Sequence, residues 1–255
     1  MRLSPCIEWH FADEHPAMVE RIRATKAAGF DHAEFHLWRD KDIAGMVAAL
    51  AETGVTLTGF CVDPRRSLVD PAQHEEFLDA VRDSLQAARE LGSPPMIVAS
   101  GFTREGVSHA DHVAAAVAVL KRAAALAETA GVTLLLEPLN DRVEHPGMFL
   151  VSTTLGLDIV EAVGSRNLRL LFDVYHSATM GEDLEAVLSG RMQLVGHVQV
   201  ADQPGRNEPG TGSLDWPHVI ATLRTLGYDG ALGLEYRPTM AIDQSLALTR
   251  KTLGL

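Results

Sequence analysis

Short runs of apolar residues, alternating with polar ones or following one another directly, are separated along this chain by longer stretches whose apolar positions recur every three to four residues. The first pattern has the period of a strand and the second that of an amphipathic helix. The pair recurs eight times. Strands are predicted at 3–8, 32–36, 56–62, 96–100, 133–137, 169–174, 194–200 and 231–236, and helices at 15–29, 40–53, 72–91, 108–130, 152–163, 182–190, 215–226 and 242–253. Gly29, Gly54, Gly92, Gly131, Gly164 and Gly227 each follow a helical run, where a left-handed cap costs glycine least. Asp40, Ser108, Ser152 and Asp215 are the expected N-caps. The run 108–130 is rich in Ala with a continuous apolar stripe, as a packed outer helix requires.

Eight β-then-α units in 255 residues are what a single-domain (β/α)8 TIM barrel over residues 1–255 needs, with parallel strands and right-handed crossovers. An open doubly wound sheet would announce itself with a Gly-rich phosphate loop after the first strand, and SPCIEWHFADEH has none. No linker or break in composition divides the chain. In such barrels the chemistry gathers at the C-terminal ends of the strands. The long connections fall on that side, at 63–71, 138–151 and 201–214.

Composition changes the picture in two places. A formal net charge of -12 offers no general basic surface for phosphates, so nucleic acid is not an expected partner. Cys6 and Cys61 both lie inside predicted strands, which suits reduced, buried thiols. No apolar core follows Arg2, and no run approaches the ~18 apolar residues of a membrane span. A cytoplasmic protein without a signal peptide or membrane partner is expected, and a homo-oligomer is compatible with it.

Candidate chemistry lies at four strand ends in the second half. Side chains alternate along a strand, so Leu135 shares a face with Glu137, Leu171 with Asp173, His197 with Gln199, and Gly233 with Glu235. Glu137, Asp173, Gln199 and Glu235 therefore stand at the tops of adjacent strands. Three carboxylates at one barrel mouth repel unless a cation holds them. Three carboxylates and an amide form an all-oxygen set, which selects one hard divalent metal per chain, Mg2+ or Mn2+. Taken singly, each residue could as well cap a helix or pair with an Arg.

The remaining candidates are substrate contacts. His176 lies three residues beyond Asp173, above the strand top. His197, one layer beneath Gln199, is either an orienting partner or a satisfied core histidine. Arg206, in the loop 201–214 with Asp202 and Glu208, is suited to gripping a carboxylate or polarised oxygen, or to a loop ion pair with Glu208. Glu34 and His36 share parity in strand two and are expected in the pocket wall, with Trp9, Trp38 and Phe60 shaping an apolar side. Glu137 and Glu235, one on each side of a metal, would move a proton between neighbouring carbons of an α-hydroxycarbonyl compound, the metal binding its two oxygens and stabilising the enediolate.

At these residues the chain resembles the hydroxypyruvate isomerase family, within the xylose isomerase-like group of sugar isomerases and epimerases. The motifs are LLEPLN, HPGMFLVSTTLGLDIVEAVGSRNLRLLFDVYH, GHVQVADQPGRNEPGTGSLDW and LGYDGALGLEYRP, which span Leu134 to Thr239, about 40% of the chain. The resemblance implies a (β/α)8 barrel, metal ligands at Glu137, Asp173, Gln199 and Glu235, and a proton donor and acceptor pair in Glu137 and Glu235. It further implies interconversion of hydroxypyruvate and 2-hydroxy-3-oxopropanoate (tartronate semialdehyde), or isomerisation of a related 2-oxo-tetronate. The strand ends of the first half, SPCIEWHF, FHLWRDKD, FCVDPRRSLVDP and ASGFTRE, depart from the family pattern.

The favoured expectation is thus a metal-dependent isomerase of a small hydroxy-carbonyl acid or sugar. Rival expectations are a ketose 3-epimerase using the same metal and glutamates, a non-catalytic sugar-acid binding protein, and a DNA-repair endonuclease of the same barrel group. The last needs more metal-binding histidines and a basic face.

Overall fold

The structure is a computed structural model describing residues 1–255. In chain order the elements are β1 (Arg2–Pro5), α1 (Met18–Ala27), β2 (His32–Glu34), α2 (Ile43–Thr53), β3 (Thr56–Cys61), α3 (His74–Glu90), β4 (Met96–Ala99), α4 (His109–Ala130), β5 (Leu134–Glu137), α5 (Thr153–Val163), β6 (Leu168–Asp173), α6 (Val174–Met180), α7 (Leu184–Leu188), β7 (Val195–Val200), α8 (Trp216–Thr225), β8 (Ala231–Leu234) and α9 (Ile242–Leu253). The eight strands pair in parallel in the order β1-β8-β7-β6-β5-β4-β3-β2. Closure between β1 and β2 rests on one bridge, Cys6 with Glu34, where Ile7 N donates to Glu34 O at 2.8 Å. This is the nearly closed TIM barrel that the alternation predicts, in a single domain.

Strand parity divides the apolar residues into two sets. Leu134, Leu136, Leu168, Leu170, Val198, Leu232 and Leu234 belong to the large core that includes the helices, and are buried to 1% exposure or less. Cys61, Ile97, Leu135 and Leu171 form a separate small cluster, the inward-facing residues of β3 to β6. On α4, Ala116, Ala123, Ala124 and Ala127 face the core, and their small side chains let this long helix lie close to its neighbours.

Three expected caps form as the sequence reads. Ser108 Oγ accepts from Asp111 N, Ser152 Oγ from Leu155 N and Asp215 Oδ1 from His218 N, each worth about 1 kcal/mol. Gly54, Gly131 and Gly164 end α2, α4 and α5 in the left-handed region. The expected cap Asp40 is corrected to Asp42, which accepts from Gly45 N. The helix starts at Ile43, so Asp40 is too far upstream and contacts Lys41 instead. The helical run at 182–190 shortens to α7. A turn of helix, α6, follows β6 directly, nucleated by Asp173, whose Oδ1 accepts from Tyr175 N at 2.8 Å.

Candidate active site

A cavity of about 680 Å³ opens at the C-terminal ends of the strands. Glu137 at the end of β5 and Glu235 just beyond β8 line it, as do His36, His176 and Arg206. Its floor is apolar, from Cys61 and Ile97. The connections after β3, β4 and β5 supply Arg65, Arg66, Ser67, Phe102, Glu144 and His145 to the wall.

The two glutamates stand in unlike surroundings. Glu235 Oε1 lies 2.8 Å from His36 Nε2, and Glu235 Oε2 accepts from Arg206 Nη2 at 2.6 Å. Burial alone would raise this carboxyl, but the Arg206 guanidinium and His36 outweigh it and hold it far below the usual carboxylate range. Glu137 makes no hydrogen bond through its carboxyl. Burial, then the negative charges of Glu235 and Asp173, raise it well above an ordinary glutamate. Environments that push paired carboxyls apart are the arrangement of an acid and a base.

Asp173 is anchored at one oxygen and open at the other. Its Oδ2 is buried without a hydrogen-bond partner, 3.6 Å from both Arg206 Nη2 and His176 Nε2. Burial pushes the carboxyl up to about 7, with Arg206 opposing. β6 sets Asp173 beside Gln199 of β7. Gln199 Nε2 donates to Glu34 Oε1 at 2.8 Å, which leaves Gln199 Oε1 buried and unpartnered. Orphaned acceptors of this kind are expensive inside a protein. An oxygen-seeking cation accounts for both, and for the crowding of Glu137, Asp173 and Glu235. Carboxylate oxygens of Glu137 and Asp173 also lie within 4.8 Å of one another, so the residues present fit a divalent metal.

The chain itself supplies part of the positive charge. Arg206, in the loop 201–214, is only 12% exposed at its side chain and packs over the rings of Trp9 and Tyr175 at 5.4 Å each. The loop is built around Asp202, whose carboxylate accepts from Gly210 N, Leu214 N and Trp216 Nε1. The alternative pair with Glu208 does not form, because Glu208 turns away to accept from Thr239 N and Oγ1.

His176 is oriented by Asn140, a residue that sequence reasoning passed over. Asn140 Oδ1 accepts from Val143 N and Glu144 N, so its Nδ2 faces the Glu144 carboxylate and His176 Nδ1, at 2.6 and 2.7 Å. His176 Nδ1 is then the acceptor, and the proton of the neutral ring sits on Nε2, toward Asp173 and Glu137. Burial and Arg206 keep that ring neutral by lowering its pKa far below 6.5.

Glu34 and His197 do not reach the cavity wall. They meet inside the barrel beneath it, with His197 Nε2 and Glu34 Oε2 2.7 Å apart. Parity held for Glu34, which faces the barrel interior together with His36, but it stands one layer lower. Only His36, whose backbone still accepts from Cys61 N, reaches the cavity. Trp9 lines the cavity as expected. Trp38 and Phe60 do not: Trp38 Nε1 donates to Ser84 Oγ and Phe60 stacks on Phe35 in the core. No helix is long and apolar enough to cross a membrane.

Comparison with known proteins agrees with this architecture. The 2-oxo-tetronate isomerase of Cupriavidus necator is 32% identical over 249 residues, covering 95% of each chain. The hydroxypyruvate isomerase of Escherichia coli K12 is 31% identical, covering 89% of this chain and 91% of that protein. A crystal structure described as an AP endonuclease, family 2, from Brucella melitensis superposes with a TM-score of 0.89 at 30% identity over 96% of both chains. The profile of the xylose isomerase-like TIM barrel family matches residues 22–252, and the chain belongs to that family.

Proposed function

We propose that this protein is a metal-dependent isomerase of small hydroxy-carbonyl acids, acting on hydroxypyruvate or a related 2-oxo-tetronate. The observation that carries the reading is the convergence of Glu137, Asp173, Gln199 and Glu235 at one barrel mouth, with Asp173 Oδ2 and Gln199 Oε1 buried and unpartnered and Glu137 and Glu235 both lining the cavity. The isomerase names borne by relatives across most of the chain favour the same reaction class.

In this reading Glu235 takes the proton from the hydroxyl-bearing carbon, and Glu137 gives its own to the neighbouring carbon. The hydroxyl proton passes between the two substrate oxygens, and the glutamates then re-exchange their protons through cavity water. Glu137, Asp173, Gln199 and Glu235 would hold Mg2+ or Mn2+. When bound, that ion supplies positive charge to the two substrate oxygens and so acidifies the carbon between the base and the carbonyl. His176 Nε2–H donates to a substrate oxygen, and Arg206 keeps the Glu235 carboxyl in place. Val62, Ile97 and Val98 line the apolar side of the cavity and limit the water around the reacting carbons.

The cavity, about 680 Å³, exceeds what a three-carbon acid needs, and this favours ketose 3-epimerisation as the second reading. The formal charge of -12 weighs against duplex DNA as a substrate. The deciding experiment is incubation with Mg2+ or Mn2+ in D2O against hydroxypyruvate, 2-oxo-tetronates and free ketohexoses, followed by NMR. Deuterium entering an acid with formation of its isomer supports the proposal. Exchange into ketohexoses alone supports the epimerase, and ligand binding without exchange excludes both.

A further inference from the structure

Four arginines reach the cavity, and three of them are engaged. Arg206 is committed to Glu235, and withdrawing it would leave that buried carboxylate with His36 alone. Arg66 Nε donates to Glu76 Oε2 at 2.6 Å. Arg237 lies over the Trp9 ring at 5.2 Å. Arg65 differs. It forms no ion pair, and its one side-chain partner is the Cys61 sulfur at 4.0 Å. Burial pushes that thiol up to about 12, so it stays neutral and offers no counter-charge.

The backbone that carries Arg65 is well anchored. Asp63, two residues earlier, accepts from Trp38 N and Arg39 N through its carboxylate, and its own N–H donates to Ser84 Oγ. The guanidinium stands on the β3 side of the cavity, opposite the β7–β8 loop that brings Arg206, and its charge is felt at both Glu137 and Glu235. An unengaged guanidinium facing a carboxyl pair across an apolar floor forms a receptor for a planar anion.

We propose that Arg65 selects for acids: its guanidinium pairs with the substrate carboxylate, and the hydroxy-carbonyl end is thereby turned toward Glu137 and Glu235. This rests on the isomerase reading above for the identity of the reacting end. The anchoring role that the sequence suggested for Arg206 passes to Arg65, since Arg206 already serves Glu235. A lone unengaged arginine matches a carboxylate better than a phosphate, which asks for more donors than Arg65 alone supplies.

The test compares Arg65→Met and Arg65→Lys with the wild type. Calorimetry gives the affinities for pyruvate and for pyruvamide, its neutral near-isostere. Isotope exchange gives KM and kcat for hydroxypyruvate and for its neutral counterpart dihydroxyacetone. Arg65 is exposed, so both variants are expected to fold. Arg65→Met should weaken pyruvate and raise the KM for hydroxypyruvate by roughly 10- to 100-fold. Pyruvamide affinity should stay within about twofold, and Arg65→Lys should recover part of the loss. Pyruvate affinity unchanged in Arg65→Met, an equal loss for pyruvamide, or a wild type that does not prefer pyruvate would each overturn the assignment. If pyruvate binding depends on Arg65 while no acid exchanges deuterium, the isomerase reading falls and the anion receptor stands.

Discussion

Arg206 Nη2 donates to Glu235 Oε2 across 2.6 Å, while Glu137 has no hydrogen-bonding partner for its carboxyl. The same substitution should therefore have opposite structural consequences at the two positions. Glu137→Gln replaces a raised carboxyl by a neutral isostere and should leave stability within about 1 kcal/mol. Glu235→Gln leaves Arg206 without its partner and should cost about 3 kcal/mol. Both should lower proton exchange on the order of 10³-fold. Urea titration and isotope exchange on the two variants check this. Equal stability loss, or near-normal exchange in either variant, contradicts the assigned roles.

Metal dependence has a readout in stability as well as in turnover. A ligand bound only by the native state raises its melting temperature by mass action. Mn2+ added to chelator-treated protein should raise Tm by several degrees, since about 3 kcal/mol follows from a ligand near 100 times its Kd. Asp173→Asn, which keeps the Oδ1 contact with Tyr175 N but weakens the open oxygen, should abolish most of that rise. A Tm indifferent to Mn2+ and Mg2+ in the wild type argues against the cation.

Gly233 is a position where any side chain is excluded. A Cβ there would stand 2.7 Å from the Glu34 Cδ, because Glu34 reaches across the barrel to His197 and Gln199. Gly233→Ala should cost 3 kcal/mol or more, of the order seen for broken buried networks. It should also lower affinity for Mn2+ by loosening Gln199. Denaturant unfolding together with Mn2+ titration tests the pair of effects, and a loss of less than about 1 kcal/mol would mean that Glu34 is not a strut.

Part of the acid sensitivity should trace to His10, beside that of the neutral buried His176. His10 is fully buried against Tyr236, ring centroids 4.4 Å apart, and neither ring nitrogen has a partner in good geometry. Burial lowers its pKa from 6.5 to about 3, with the Tyr236 backbone opposing only in part. The unfolded chain thus binds this proton more readily than the native one. Its contribution is complete above pH ~6.5, declines as pH falls toward ~3, and amounts to roughly 4 to 5 kcal/mol over that span. His10→Phe, which removes the unsatisfied nitrogens, should be at least as stable at pH 7 and should flatten the decline. Stability curves between pH 3 and 7 decide; a decline as steep in the variant as in the wild type shifts the cause elsewhere.

The barrel was legible because its period and its caps are local. Gly54, Gly131 and Gly164 stop helices where the left-handed region is needed, and the apolar alternation of LLLE or LRLLFD carries its parity onto the structure. The limits were equally physical. Most of Val174–Met180 lies between the predicted strand 169–174 and the predicted helix 182–190 and is too short to show a helical period, yet the Asp173 carboxylate caps it into a helix. Parity gave Glu34 its inward face but not its depth, and it stands one layer beneath the wall that His36 reaches. Asn140 and Arg65 carried no periodic signal, since what singles them out is what they face across the fold.

The joint between the first and second strands has a consequence for wear. Glu34 accepts Ile7 N there through its backbone, and through its side chain it also steadies Gln199. If heat or denaturant parts the ring at its weakest stave, the amide oxygen at its centre loses its bearing in the same event. Loss of activity should then precede the spread of unfolding to the opposite staves, an early warning built into the way the ring is hooped.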